Sequence, residues 1–432
     1  MSKQPDWLME EPLQQFFAAT AAAGGEARVV GGAVRDFLLG VDGADVDVAS
    51  TLTPEQTTEI AARHNWKAIP TGIAHGTVTL VLPNRIVEVT TLRRDVTTDG
   101  RRATVAFTQD WREDASRRDF TINAMSMDSD GKIYDYFNGQ SDAAAQRVRF
   151  IGDASTRITE DALRILRFFR FLAVIGKPPA DAAAIAAITA NKEMLTQLSG
   201  ERIANEMRKL LGAHNPAYAL RLMQSAGVAA FVFGRAIEPA TMIRLQMLEG
   251  QADYQCSVWA RALALLFNSP LEGESKSSLK DFGGGNLQED TPHQNSSKGI
   301  LAPHQGGSQS AQWIANRWKL SRHESQQIRL LATLPKFDAA APRHFHTRIL
   351  RLHGAPVYLD WLLVQAARVT GIAITPYVHL AHDFVPTAFP VTAKDLMAKG
   401  MEEGKALGEA LAAMEQRWEE SDYTLTKEDL LQ

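Results

Sequence analysis

The pattern of hydrophobic and polar positions changes about a third of the way along the chain. In roughly the first 150 residues, short helical and strand patterns alternate. The Thr53-Pro54-Glu55 sequence predicts a helix start, with Thr as the cap and Pro in the first turn. Other helices are predicted at 13–23 and 34–39, and strands at 28–30, 45–48, 77–82 and 85–91. This order indicates a small α/β or α+β domain with a mixed sheet.

From about residue 155, helical periodicity dominates to the end of the chain. The predicted class is therefore α+β, with an N-terminal mixed-sheet domain (1–150) followed by an elongated all-helical neck (151–225), body (226–375) and tail (376–432). Residues 268–310 are rich in Gly, Ser, Asn and Gln and predict a disordered insertion in the body. A substrate-binding lid is the alternative for this insertion.

Composition narrows the class of protein. A chain of 432 residues with 45% hydrophobic and 22% charged residues is typical of a globular protein with several domains. The single cysteine, Cys256, excludes a disulfide framework and a Cys-based zinc site, and we expect it to be a small buried side chain. No apolar run has membrane-spanning length, and the N-terminus resembles neither a secretory signal nor a mitochondrial transit peptide. We expect a cytoplasmic protein with no membrane attachment, and nothing points to a protein partner.

The charge is modest overall but unevenly distributed. A formal net charge of −4 argues against indiscriminate coating of nucleic acid. Arginines nevertheless cluster at 93–94, 101–102 and 117–118 and again at 157, 164, 167 and 170. These clusters form either a local basic groove or ordinary solvated faces.

The segment from residue 29 to 50 carries the strongest chemical signal. Gly31-Gly32 precedes a helix, and such a turn presents backbone N–H groups to a phosphate. Arg35 near the helix start is suited to pair with the same phosphate. Asp45 and Asp47 alternate with valines and are predicted on one strand face, where Mg²⁺ would relieve their repulsion. A phosphate cradle beside a divalent-metal site is the equipment of nucleotidyl transfer.

Each acidic residue also has a simpler interpretation. An Asp-x-Asp sequence alone usually marks a turn or a solvated strand face. Glu88 alternates with apolar residues on a predicted strand, so it is either a third carboxylate near the metal or an exposed strand residue.

A second motif runs from Arg117 to Ala124. Asp119 precedes an apolar helical stretch, and its simplest interpretation is that of a helix cap. Arg118 and Asn123 would then face the phosphates and sugar of a nucleotide. A surface arginine pair is the alternative.

A third motif, 160–171, can discriminate between bases. Asp161 and Arg164 are three residues apart and are predicted on one helical face. A carboxylate accepts from the exocyclic amine of cytosine or adenine, and a guanidinium donates to a ring nitrogen or carbonyl. Uracil and guanine present an oxygen there and would be rejected. A plain ion pair between the two residues is the alternative. The polar segment 94–102 is predicted to be a mobile loop over the site or an ordinary surface loop.

Together these motifs resemble the class II tRNA nucleotidyltransferases, or CCA-adding enzymes, and their relatives the bacterial poly(A) polymerases. The resemblance covers roughly residues 27 to 215, including Glu160-Asp161-x-x-Arg164 and the helical motif 199–206. It implies that Asp45 and Asp47 hold catalytic Mg²⁺ ions. It also implies that the triphosphate is held by Gly32, Arg35 and Arg118, and that the base is read by Asp161 and Arg164, supported by Arg167 and Arg170.

The leading hypothesis is template-independent addition of CCA to the 3′ end of tRNA from CTP and ATP, by two-metal chemistry with release of pyrophosphate. Poly(A) polymerase activity on RNA 3′ ends is the nearest alternative. A non-catalytic RNA-binding protein of the same fold is a third. A dinucleotide-dependent oxidoreductase is disfavoured because Gly31-Gly32 is not a Gly-x-Gly-x-x-Gly turn.

Overall fold

The computed structural model describes residues 4–41, 45–99, 102–266, 307–369 and 371–432. The chain divides into two compact units, Met1–Val232 and Phe233–Gln432. The finer division into head, neck, body and tail stays a prediction.

The first unit contains a seven-stranded mixed sheet and a separate hairpin. The strands are β1 Ala27–Val30, β2 Asp47–Ser50, β3 Lys67–Gly72, β4 Thr77–Leu82, β5 Arg85–Thr91, β6 Arg93–Asp99, β7 Arg102–Phe107, β8 Ser126–Met127 and β9 Ile133–Tyr134. The sheet order is β3-β4-β5-β2-β1-β8-β9, and β6 and β7 pair with each other. Among the described strands of this sheet, β2 and β5 are parallel and the other neighbours are antiparallel. The predicted mixed sheet is confirmed.

The remainder of the described chain is helical. The helices are α1 Glu11–Ala22, α2 Gly32–Leu39, α3 Pro54–Arg63, α4 Trp111–Ser116, α5 Gly139–Ala144, α6 Ala154–Glu160, α7 Leu163–Val174, α8 Ala182–Asn191, α9 Gly200–Leu211, α10 Ala217–Ser225, α11 Val228–Phe233, α12 Pro239–Ala252, α13 Val258–Leu266, α14 Gly307–Arg317, α15 Arg322–Thr333, α16 Arg343–Arg368, α17 Thr375–Asp383, α18 Ala393–Ala398, α19 Lys405–Glu420 and α20 Lys427–Leu431. Short 3₁₀ turns occupy Asp6–Met9, Ile73–His75, Thr121–Asn123 and Lys192–Gln197. The predicted change from mixed to helical structure is confirmed, and none of the described helices has the length and apolar character to cross a membrane.

Most local predictions in the first unit agree with the structure. Strands β4 and β5 have the predicted bounds, and Thr53 forms a reciprocal capping box with Gln56 at the start of α3. Strand β2 begins at Asp47 rather than at Asp45, because Asp45 and Val46 precede the first ladder pair with β1.

The segment 94–102, predicted to be a loop, is instead most of the β6–β7 hairpin. Residues 100 and 101 at its turn lie outside the described range. The polar charges suggested a loop, but Val96, Thr97, Thr98, Thr104 and Val105 favour extended backbone.

An aromatic cluster joins the sheet domain to the helices that follow it. Phe120 lies 4.9 Å from Phe150 between ring centroids, and Phe150 stacks on Phe168 of α7 at 5.8 Å. All three side chains are buried. This packing holds α7 against the segment that carries Asp119.

The second unit has an aromatic core and a separate tail core. His346, Tyr358 and Trp361 of α16 pack together, while Val391, Leu396, Leu407, Trp418 and Leu430 form a second buried cluster. Cys256 is buried, as expected. Helix α14 begins at Gly307, so the last four residues of the predicted insertion are helical because Ser310 and the residues after it pack into the core. The insertion's residues 268–306 lie outside the described range.

Candidate active site

The acidic pair and the glycine turn meet at one end of the sheet. Asp47 is the first residue of β2 and pairs with Val30, the residue before the turn. On its other side it pairs in parallel register with Glu88 of β5. Asp45 and Asp47 are exposed while Val46 and Val48 are buried, as the alternating pattern predicts. The strands therefore bring carboxylates beside the start of α2.

The carboxylates repel each other. Partial loss of water contact raises the pKa of Asp47, and the negative charges of Glu88 and Asp45 raise it further, while Arg118 acts in the opposite direction. A cluster of like charges that raises the pKa of Asp47 fits a site for an oxygen-binding cation. Within the described ranges, no group of three or more His, Cys, Asp or Glu side chains is arranged to hold a metal ion. The fit therefore rests on the pair Asp45 and Asp47, and Glu88 acts through its charge.

Gly31 is required where the strand turns into the helix. Its backbone has φ +70°, a conformation that favours glycine, and its N–H donates to the carbonyl of Met125 at 3.2 Å. A Cβ atom at Gly31 would lie 2.9 Å from Nη1 of Arg118. Glycine thus lets the Arg118 guanidinium approach the turn directly. Gly32 opens α2 beside the guanidinium of Arg35.

A hydrogen-bond network connects the turn to the second motif. Nη1 of Arg35 donates to Oδ1 of Asn123 at 2.7 Å, and Nη1 of Arg118 donates to the Asn123 carbonyl at 3.3 Å. The same Arg35 side chain forks onto Asp36 at 2.8 and 3.0 Å. Asn123 in turn donates from Nδ2 to Asp119 at 3.0 Å. Predicted site residues from two separate motifs are therefore neighbours.

Asp119 is the buried centre of this network, and its predicted role as a helix cap is wrong. A 3₁₀ turn, Thr121–Asn123, follows it instead of a helix, and Asp119 accepts from Arg167 of α7 at 2.6 Å. Burial would raise the pKa of Asp119, but Arg167, Asn123 and the Phe120 N–H outweigh it and hold the pKa below its ordinary value.

Three guanidinium groups surround one aromatic ring. The Cζ atoms of Arg35, Arg167 and Arg170 lie 5.2, 5.8 and 4.3 Å from the ring centroid of Phe171. Arg170 also pairs with the buried Glu206 of α9 at 3.3 Å. Burial lowers the pKa of the Arg170 guanidinium, and Glu206 partly offsets this. The result is a set of preoriented cations around Phe171.

The predicted helical pairing of Asp161 with Arg164 is wrong. Helix α6 ends at Glu160, and Asp161 is extended, with φ −155° and ψ 107°. The Arg164 guanidinium pairs instead with Glu160 and donates to the Arg157 and Arg117 carbonyls at 2.9 and 3.1 Å. Helix α6 ends before Asp161 and α7 begins at Leu163, so Asp161 lies outside the helix that carries Arg164.

Asp161 is held by a residue that the sequence analysis did not select. Nη2 of Arg202, on α9, donates to both carboxylate oxygens at 3.0 and 2.8 Å. Glu206, one turn later, binds Arg170. The motif 199–206 contains both residues, but its spacing alone does not reveal their partners. Asp114 was also missed; this buried carboxylate orients Arg117 at 2.8 Å and lies 3.6 Å from Arg118.

Charge interactions join the acidic pair to Asp161. Arg118 acts to lower the pKa of Asp47. Burial acts to lower the pKa of Arg167, but the negative charges of Asp119 and, more weakly, Asp161 raise it. Between Arg118 and Arg167 run the hydrogen bonds through Asn123 and Asp119. The predicted metal ligands and the predicted base-reading residues therefore belong to one contiguous cluster in the first unit.

Comparison with known proteins finds two matching family models and several similar proteins. Residues 27–149 match the family described as "Poly A polymerase head domain", and residues 181–241 match "Probable RNA and SrmB- binding site of polymerase A". The Danio rerio protein "CCA tRNA nucleotidyltransferase 1, mitochondrial" is 32% identical over 429 residues, which is 94% of this chain and 86% of that protein. The Mus musculus protein of the same name is 45% identical over 228 residues, which is 52% of each chain. The chain thus spans about half the length of that mouse relative.

The similarity extends to three dimensions. The crystal structure of the Bacillus stearothermophilus CCA-adding enzyme in complex with CTP superimposes with a TM-score of 0.69 at 27% identity, covering 96% of this chain and 94% of that one. The extent of the match to the zebrafish relative, together with the shared fold, shows that this chain belongs to the family of CCA tRNA nucleotidyltransferases, the CCA-adding enzymes.

Proposed function

We propose that this protein adds C, C and A to the 3′ end of tRNA from CTP and ATP without a nucleic-acid template. The observation that carries the proposal is the continuity of the cluster. Arg118 lies within electrostatic reach of Asp47 and donates to Asn123, whose network reaches Arg167. One nucleotide bound along this line would have its phosphates near the carboxylates and its base near α7. Membership in the family supports the same reaction.

The side chains divide the work by position. Gly32, Arg35 and Arg118 are proposed to bind the triphosphate, because α2 begins with backbone N–H groups and each of the two guanidinium groups has more N–H donors than its protein partners use. Asn123 is proposed to contact the sugar.

Asp161 and Arg164 are proposed to read the base edge, accepting an amine and donating to a ring acceptor. The two side chains do not pair on one helix: Arg202 holds Asp161, and Glu160 holds Arg164. Arg167 and Arg170 are proposed to support the base site or the phosphates, since both lie against Phe171.

Asp45 and Asp47 are proposed to hold Mg²⁺. Both carboxylates are exposed, and partial burial together with the charges of Glu88 and Asp45 raises the pKa of Asp47, so a divalent cation would relieve their repulsion. When bound, the ion supplies Lewis-acid stabilisation of the phosphoryl oxygens and activates the attacking hydroxyl. The arginines orient the triphosphate and neutralise the charge that accumulates on the leaving pyrophosphate.

The polymer substrate is proposed to be the tRNA acceptor end. The mouse and Danio rerio relatives are named tRNA nucleotidyltransferases, and the B. stearothermophilus enzyme was crystallised with CTP. Affinity would come mainly from phosphate contacts and RNA shape, so binding should weaken as salt is raised.

The test is incorporation of labelled CTP and ATP into a tRNA that lacks its CCA end. Wild type should add two C residues and one A. Asp45→Ala and Asp47→Ala should each lower the rate by about a thousandfold or more. Glu59→Ala is the matched control, because Glu59 is an exposed carboxylate on α3 that pairs with the exposed Arg63. An inactive wild type, or unchanged activity in Asp45→Ala, would contradict the proposal.

The same assay separates the alternatives. Poly(A) polymerase activity is the second candidate, because the head-domain family match is described by that activity. Long A tails on an unrelated RNA primer without C addition would favour it. CTP binding that requires a divalent cation, with no turnover on any primer, would favour a non-catalytic RNA-binding protein.

A further inference from the structure

The contact between Asp161 and Arg202 goes beyond the base-reading role proposed for Asp161. One nitrogen, Nη2 of Arg202, lies 3.0 Å from Oδ1 and 2.8 Å from Oδ2 of the carboxylate. The backbone N–H of Leu163 donates to Oδ1 at 3.1 Å. About 30% of each side chain, Arg202 and Asp161, remains exposed, so a ligand can reach the pair. This carboxylate is fixed from one side and open on another.

The two oxygens of Asp161 are not equivalent. Oδ1 accepts from both Leu163 and Arg202, whereas the contact to Oδ2 comes from Arg202. Each carboxylate oxygen has two acceptor positions. Oδ2 therefore keeps a position for one more donor.

Arg164 is supported independently. Its guanidinium donates hydrogen bonds to the Glu160 carboxylate and to the Arg157 and Arg117 carbonyls. The Asp161 carboxylate and the Arg164 guanidinium, which would both face a nucleotide, are thus held by different partners and not by each other.

We infer that Arg202 is a positioning residue that sets nucleotide selectivity. It fixes Asp161 so that Oδ2 faces the exocyclic amine of cytosine or adenine. The inference rests on the proposed function and assigns the residue that makes its base site selective. Arg202 itself does not touch the base in this proposal.

Loss of the Arg202 guanidinium has a defined consequence. Asp161 stands on extended backbone after the end of α6. Without Arg202, its Oδ1 keeps the Leu163 N–H, but the contact that orients Oδ2 is lost and the carboxylate can turn. Arg167 is close enough for its pKa to respond to Asp161, and it offers a competing cation. A carboxylate turned toward Arg167 neither accepts the amine of CTP nor repels the carbonyl of UTP. Selectivity should then fall more than the chemical rate.

The experiment compares CTP with UTP in single additions to a tRNA that ends just before its CCA. The measured quantity is the ratio of kcat/KM for CTP to kcat/KM for UTP. Arg202→Gln should lower this ratio by about tenfold or more, mainly through a raised KM for CTP. Arg208→Gln is the matched control. Arg208 is on the same helix, donates to Asn205 at 2.6 Å, and should leave the ratio within about twofold of wild type.

Two further variants distinguish positioning from general damage. Arg202→Lys keeps a cation that can contact both oxygens through one nitrogen, so its ratio should lie between those of wild type and Arg202→Gln. In an Asp161→Ala background, Arg202→Gln should change the ratio no further, because its effect passes through Asp161. Should Arg202→Gln fail to fold by circular dichroism, a ratio for Arg202→Lys below that of Arg208→Gln supports the inference and an equal ratio overturns it.

The outcomes separate the two proposals. A wild type that incorporates neither CTP nor ATP removes the proposed function and the inference with it. A selective wild type whose ratio is unchanged in Arg202→Gln removes only the inference. A further loss of selectivity in the double variant would also overturn it, since Arg202 would then act independently of Asp161.

Discussion

At the scale of single residues, charge pairing organises the site before any nucleotide binds. Asp119 binds Arg167, Glu206 binds Arg170, and Asp114 orients the adjacent arginines. Each carboxylate accepts from some of the five N–H donors of a guanidinium group, so the other donors can bind a ligand. Preorientation of this kind reduces the reorganisation required when the triphosphate arrives.

A substitution at Gly31 tests the close approach of the Arg118 guanidinium to the glycine turn. Gly31→Ala introduces a side chain at positive φ and places its Cβ 2.9 Å from Arg118. We expect a loss of about 1 to 2 kcal/mol in the free energy of unfolding from the backbone alone. We also expect a raised KM for CTP, because Arg118 must move.

Gly40→Ala is the matched control for this variant. Gly40 has φ +68° at the end of the same helix, but nothing lies within 4 Å of its added Cβ. It should lose similar stability, measured by urea unfolding, and keep the wild-type KM. An equal rise in KM in both variants would show that the contact with Arg118 is unimportant.

At the scale of secondary-structure elements, local signals placed most helices and strands, and tertiary contacts decided the exceptions. The alternating residues of β4 and β5 and the cap at Thr53 identify their elements from a few neighbouring positions. The break at Asp161 has no such signal. It depends on α9, whose Arg202 binds Asp161 from 41 positions along the chain.

The capping box of α3 predicts an effect on stability without an effect on activity. Thr53→Ala removes the acceptor for the Gln56 N–H and should lower the free energy of unfolding by about 1 kcal/mol. Helix α3 carries none of the proposed nucleotide-binding residues, so kcat/KM for CTP should not change. Thr58→Ala, within the same helix, is the control and should be neutral or slightly stabilising. Equal melting temperatures for Thr53→Ala and wild type would contradict the capping role.

At the scale of the whole molecule, the described chain forms two units with separate cores. The first combines the sheet with the helices that carry the proposed base site, joined by Phe120, Phe150 and Phe168. The second contains the α16 aromatic core and the tail cluster around Trp418. The first division predicted by the helical pattern, at about residue 150, lies within one compact unit because this aromatic packing crosses it.

The stability of the protein should depend on pH through Asp119. Its pKa is depressed in the folded state, so its ionised form stabilises the protein above the unfolded value of about 3.9. This contribution is lost as pH falls through the lower, folded pKa. Asp119→Asn lacks the charge pair with Arg167 at every pH. The difference in free energy of unfolding between wild type and Asp119→Asn should therefore be largest near pH 7 and shrink toward pH 3.

Urea unfolding at a series of pH values checks this prediction. Asp429→Asn is a suitable control, because hydrogen bonds from Thr426 lower the pKa of that exposed carboxyl without a buried ion pair. Its difference from wild type should be small throughout. If the difference in free energy of unfolding between wild type and Asp119→Asn did not vary with pH, the lowered pKa of Asp119 would be contradicted.

The sequence alone determined the features that depend on near neighbours in the chain. Alternation placed Asp45 and Asp47 on the exposed side of their segment, and the glycine pair identified the start of α2, because strand periodicity and turn geometry act over a few residues. Only the tertiary structure decided that Asp119 binds Arg167, that Arg202 rather than Arg164 holds Asp161, and that Phe171 gathers three arginines. Those contacts join segments separated by tens of residues, and their partners are chosen by packing and charge in three dimensions, which no local pattern records.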